Sequence, residues 1–240
     1  MAACTYVSHT ENTFNTDPSS LTHNHASGNA VIAVLGERGD GGTLNAVKWG
    51  GSGGVAMTLA VSSTVGGRRV WIYYLKDAAS GSQALWADWS ATPWLAMGAI
   101  SVSGFGKIGD TDFANGYATS VSKTMDTTVN DLVVDSLACT DASTPTVGGG
   151  QTQRWNRGVV SSMWGACSTE PGSAGSTVMS WSTIDAGDTH NYAVAVLQGA
   201  VVGGAIWFFF QRQQKFLRDL KAGLIPPRDV RRRHQEVYSI

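Results

Sequence analysis

GNAVIAVLG (residues 28–36) and NDLVVDSLA (residues 130–138) are the two runs on which the fold turns. Each is short, rich in Val, Ile and Leu, and opened by a turn residue. Short runs of this kind, β-branched or aromatic and mostly alternating, read as strands. Working outward, the first run is followed by VAMTLAV (55–61), VWIYYL (70–75), ALWADW (84–89) and LAMGAISVSGF (95–105). The second is followed by VVSSMWGAC (159–167), STVMSWS (176–182) and NYAVAVLQG (191–199). Gly-rich clusters such as ERGDGG, GGSGG, DAASGS, TPTVGGG and EPGSAGS separate them and read as turns.

The two series echo one another at an offset of roughly 90–100 residues, which marks an internal repeat. A unit of four or five strands has a greasy face that it cannot bury alone. Two such units packed together predict an all-β, two-sheet sandwich of jelly-roll type over residues 1–202. Composition agrees: charged residues are only 15% of the 240, Gly numbers 29 and Trp nine, which excludes a disordered chain.

The strand-and-turn succession SHT…GNAVIAVLG…VKWGG…AMTLAV…VWIYYL…SGSQALWADWS…AISVSGF, then TTVNDLVVDSLA and YAVAVLQGA, resembles the jelly-roll or concanavalin-like sandwich domains of bacteriophage virion proteins and bacterial surface proteins. The resemblance covers residues 8–200. It implies a structural role: capsid decoration first, a head or tail fibre module next, with lectin-like adhesion as an alternative. It also implies a symmetric homo-oligomer, a trimer being one such arrangement.

Residues 203–240 differ from the body. They hold eight Lys or Arg against three acids, whereas the rest of the chain holds nine against fifteen. A helix is expected from about Ala205 to Ala222, with Gly223 just past its end and Pro226-Pro227 beyond. Ile206, Trp207, Phe208, Phe209, Phe210, Phe216, Leu217 and Leu220 would form its broad apolar side. Burying one such side chain is worth about 1.5–3 kcal/mol, so the segment calls for a partner. The expectation is docking onto other virion proteins, with Arg231, Arg232 and Arg233 adding electrostatic attraction to an acidic surface. Asp229 and Glu236 dilute those arginines too far for nucleic acid. A membrane-anchored viral surface protein using residues 192–210 is the further alternative, disfavoured because the repeat claims 192–199 as a strand and leaves only ten residues, VVGGAIWFFF. MAACTYVSHTENTF lacks the basic and apolar regions of a secretory signal, so synthesis in the cytoplasm and residence in a virion are expected.

Catalytic signatures are missing: GGSGG (50–54) spells GxSxG but reads as a hairpin turn with no helix pattern after it, and there is no Walker loop. His23-x-His25 would place two imidazoles on one strand face, but no carboxylate follows at ligand spacing, so no metal, cofactor or enzyme activity is assigned. Cys4, Cys139 and Cys167 read as small buried residues, with a Cys139–Cys167 bridge as the alternative. Trp71 and Trp86 read as core, while Trp49, Trp94 and Trp155 sit beside turns or polar residues and are the candidates for stacking glycans.

Overall fold

Val31, Ala33 and Leu35 leave their strand in one direction, Ala30, Ile32 and Val34 in the other, and all six are buried. A strand buried on both faces lies between two cores. Its continuous apolar run, without polar alternation, is the sequence consequence. The second quoted run behaves the same way: Leu132 and Val134 enter one core, Val133 and Leu137 another.

The computed structural model describes residues 2–26, 28–39, 42–64, 67–140, 144–160, 163–182, 184 and 189–201. The expected helix and its docking residues, Ile206 to Leu220 and Arg231 to Arg233, lie outside them. The described residues contain strands and no helix. In chain order the strands are β1 (Thr5–Phe14), β2 (Ser19–His25), β3 (Ala30–Glu37), β4 (Leu44–Trp49), β5 (Val55–Ala56), β6 (Thr58–Ser63), β7 (Arg69–Lys76), β8 (Gly81–Trp89) and β9 (Leu95–Ser103). They continue as β10 (Phe105–Gly116), β11 (Ser120–Thr127), β12 (Leu132–Cys139), β13 (Thr146–Val147), β14 (Thr152–Val160), β15 (Met163–Pro171), β16 (Gly175–Ser182) and β17 (His190–Gly199).

These strands form four antiparallel sheets, where the sequence reading expected two. The first repeat makes an inner sheet, β1-β9-β3-β7-β6, and an outer sheet, β2-β8-β4-β5. The second makes an inner sheet, β10-β17-β12-β15-β14, and an outer sheet, β11-β16-β13. Each repeat thus closes a core of its own between its two sheets. Leu21, Trp49, Leu85 and Trp89 meet Val31, Leu35 and Met97 in the first. Val121, Met125, Met179 and Trp181 meet Val133, Leu137 and Tyr192 in the second. A third core joins the two inner sheets, with Ile32, Val34, Ile72 and Ile100 against Leu132, Val134, Ala193 and Leu197.

The repeats are related by a pseudo-two-fold. β1 lies beside β14 and β10 beside β6; β9 faces β15 and β17 faces β7; β3 and β12 face each other. Exchanging the repeats maps every pair onto another of the set, the pattern of an isologous dimer built into one chain. The inner sheets approach closely. A methyl group on Gly98 would strike the Trp155 ring, and one on Gly165 would strike Ala96.

The turn residues ahead of the quoted runs fasten the strand ends. Asn29 Nδ2 donates to Phe105 O at 2.7 Å and Phe105 N donates to Asn29 Oδ1 at 2.9 Å, so one side chain holds the first residue of the second repeat. Its counterpart Asp131 accepts from Thr128 N at 2.7 Å and from Gly199 N at 3.2 Å.

Three readings are corrected. VVSSMWGAC is not one strand, because Val160 ends β14 and pairs with Met163 at the start of β15. Cys139 and Cys167 do not form a bridge. They lie on opposite faces of one sheet, Cys139 toward the outer sheet and Cys167 toward the central core. Trp86 is only half-buried, on the solvent side of β8, with Lys48 Nζ 5.2 Å from its ring, whereas Trp71 is core. The polar strands β1, β2, β10 and β11 escaped the reading.

Candidate functional site

Three polar constellations stand out from the apolar layers. The first lies between the sheets of the first repeat. His23 and His25 share a face of β2, as strand alternation requires, and point inward. Thr10 Oγ1 lies 2.9 Å from His23 Nδ1, His23 Nε2 lies 2.8 Å from Ser101 Oγ, and Ser101 Oγ lies 2.7 Å from His25 Nδ1. Ser101 has one proton, so with neutral rings it donates to one imidazole and accepts from the other. Burial, with repulsion from His25 and His9, lowers the His23 pKa to about 4, and burial lowers His25 as well. The pair is a neutral, bonded link between β1, β2 and β9. Among the described residues no group of three or more His, Cys, Asp or Glu is placed to hold a metal.

The second constellation is in the second repeat. Asp135 accepts from Ser168 Oγ and Trp181 Nε1, both at 2.7 Å, from Tyr192 OH at 3.1 Å and from Gln151 Nε2 at 3.3 Å. Ser168 N also donates to it. Burial raises its pKa to about 6, against the pull of these donors. Asp135, Ser168, Trp181 and Tyr192 are all fully buried, so the cluster ties β12, β15, β16 and β17 together out of reach of any ligand. The Cys4 and Cys167 thiols are held protonated by the same desolvation, Cys4 with its pKa raised to about 12.

The third constellation is open to solvent. It runs along the seam where β1 lies beside β14. The strand β1 turns Tyr6, His9, Glu11 and Thr13 toward the second repeat, with a bulge between Tyr6 and Ser8 adjusting the alternation. From β14, Arg154, Arg157 and Val159 face them. The Arg154 guanidinium lies 3.5 Å from the centre of the Tyr6 ring, and its Nε donates to Thr169 Oγ1 at 2.8 Å. Tyr6 OH meets His9 Nδ1 at 2.7 Å, and His9 Nε2 lies 3.4 Å from Glu11 Oε2. Arg157 Nη2 donates to Glu11 Oε1 at 2.7 Å. His9 has a lowered pKa, burial outweighing the attraction of Glu11. Beyond this row, Thr13, Phe14, Asn15, Trp94 and Val159 line a cleft of about 150 Å³, and the Arg38 guanidinium lies 5.6 Å from the Trp94 ring.

The seam is asymmetric. Its pseudo-two-fold counterpart, where β10 lies beside β6, offers Ile108 and Ala60 packed on the central core, and β6 carries no charged residue to match Arg154 and Arg157. Sequence reading missed the seam because TYVSHTENTF carries few apolar residues. The signal that could have found it is the near-alternation of Tyr6, His9, Glu11 and Thr13.

Of the proposed glycan-stacking residues, the structure brings only Trp94 to the surface. Trp49 and Trp155, 2% and 4% exposed, are core side chains and present no free face. Trp49 packs edge-on against His23 and His25, and its Nε1 donates to Ala79 O. Trp155 fills the space left by Gly98. A tryptophan beside a Gly-rich turn can still point inward, since strand parity, not the neighbouring residue, sets its side. Among the described residues no helix is long and apolar enough to cross a membrane. No protein-family model, curated protein or solved structure matches the chain.

Proposed function

We propose that this chain is a structural protein of a tailed-bacteriophage virion, a capsid decoration protein in the first instance and a head or tail fibre module in the second. The observation that carries the reading is the double use of the strand succession that resembles phage sandwich domains. Two copies, joined through a third apolar core, make one stiff body suited to display. Each copy is further read as a jelly roll, since β1-β9-β3-β7 packs on β2-β8-β4-β5 and, in the first copy, six of the eight connections from β1 to β9 cross between the sheets. Residues 203–240 would dock this body onto other virion proteins as part of a homo-oligomer, through the aromatic run Ile206–Phe210 and the basic residues that follow.

The test is assembly with and without that segment. The full chain is expected to co-sediment with purified particles and to form a defined oligomer in solution. A chain ending at residue 202 should be a folded monomer that stays off the particle. Full occupancy by the truncated chain would refute the docking role. A carbohydrate-binding reading has one specific observation in its favour, the half-buried Trp94 lining an open cleft at the seam.

A further inference from the structure

We infer that the β1–β14 seam is a binding groove for an acidic saccharide, with one sugar ring seated in the Trp94 cleft and a carboxylate of the chain held by Arg157. The inference sharpens the carbohydrate reading and is independent of the virion reading. A volume of about 150 Å³ matches one six-membered ring. Its walls have mixed character. The accessible lining is mostly polar, where the Thr13 hydroxyl and the Asn15 amide can exchange hydrogen bonds with sugar hydroxyls, and the half-buried Trp94 contributes to its small apolar part. Few precisely placed polar groups in a partly apolar cleft are what orient a small ligand.

The charge next to the cleft decides the class of saccharide. Arg157 is bonded to Glu11, which precedes the cleft residue Thr13 by two residues on the regular part of β1, a rise of about 7 Å. Its side chain is 57% exposed. One Nη atom is bonded to Glu11, which leaves donors of the planar fork directed at solvent. Glu11 thereby orients the guanidinium without consuming it. Arg154, stacked on Tyr6, extends the positive row away from the cleft. Against these two guanidiniums the row sets one carboxylate, so a ligand carrying negative charge is favoured over a neutral one. In the counterpart seam β6 carries no such charges, so one groove per chain is expected.

The test titrates the full chain with an oligogalacturonate and with a neutral galacto-oligosaccharide of equal length, following tryptophan fluorescence and heat. The acidic chain should bind about tenfold more tightly than the neutral one, a preference that added salt reduces. Arg157→Ala should erase the preference for the acidic chain. Trp94→Ala should weaken both ligands at least tenfold, while Trp86→Phe, on the opposite outer face, should change neither. Two results would overturn the inference: neither saccharide binding, or acidic binding that survives Trp94→Ala undiminished. Equal binding of the two saccharides by the unaltered chain would remove the role of Arg157. Because particle assembly is not read in these titrations, their failure leaves the virion reading standing on its own test.

Discussion

Asp135 and His23 carry opposite pH dependences at the scale of single residues. The folded pKa of Asp135 is raised from 3.8 to about 6, so the folded state binds more protons than the unfolded chain between those values. Its contribution to stability therefore falls as pH rises through that window. His23 is lowered from 6.5 to about 4, so the unfolded chain binds more protons there, and stability is lost as pH falls. His25 and His190, lowered by burial, act in the same direction as His23. Asp135 thus offsets part of the acid sensitivity of the buried histidines. Replacing Asp135 by Asn should steepen the loss of stability between neutral pH and pH 4 by about 2 kcal/mol, because a tenfold change in proton affinity is worth about 1.4 kcal/mol. Denaturant melts at several pH values measure this, and an unchanged slope would contradict the assignment. Asp135→Asn should also destabilise at every pH, because an amide nitrogen among Ser168, Trp181 and Tyr192 faces donors that need an acceptor. Gly98 and Gly165 make a second residue-scale case. Their hydrogens are the only side groups that the Trp155 ring and Ala96 leave room for. Gly98→Ala should cost about 1–3 kcal/mol by overpacking, seen as a lower midpoint with an unchanged m-value.

Elements show how one side chain can join two repeats. Asn29 sits ahead of β3 yet bonds both the N–H and the C=O of Phe105, which opens β10. The chain passes between them through Gly104, whose φ of 68° suits glycine. Asn29→Leu would leave both backbone groups of a fully buried residue without partners. The expected cost is roughly 2–4 kcal/mol, twice a typical single-group loss, with faster amide exchange at Phe105. Protection at Phe105 equal to that of the unaltered chain would show that the clamp contributes nothing. The β1 and β14 elements set charges beside apolar packing in their facing rows, His9, Glu11 and Arg157 next to Tyr6, Trp155 and Val159. That is tolerated at the open margin of the central core, where Arg157 and His9 keep contact with water.

On the scale of the whole molecule, the central core makes each repeat depend on the other. The inner sheets share Ile32, Val34, Val134 and Leu197, so exposing one sheet strips the other of its cover. Residues 2–200 should therefore unfold in one cooperative transition, with calorimetric and van't Hoff enthalpies equal. Two resolved transitions would mean that the repeats are independent.

Much of this organisation was legible in the chain itself. Hydrophobic runs bounded by Gly, Asn and Asp declared an all-β body, and the spacing of GNAVIAVLG and NDLVVDSLA declared a repeat. Runs that are apolar without alternation carried a further sign, burial on two faces, which became four sheets instead of two. What tertiary structure alone decided was which side each residue faces and what it meets there. Trp49 and Trp155 went inward and Trp94 stayed half outside, although all three stand in polar or turn-rich surroundings. His9, Glu11, Arg154 and Arg157 became neighbours across about 145 residues because the pseudo-two-fold lays β1 beside β14. Local sequence encodes strand propensity and parity within a few residues. The pairing of distant strands is set by the burial of whole faces, a property of the folded chain and not of any segment of it.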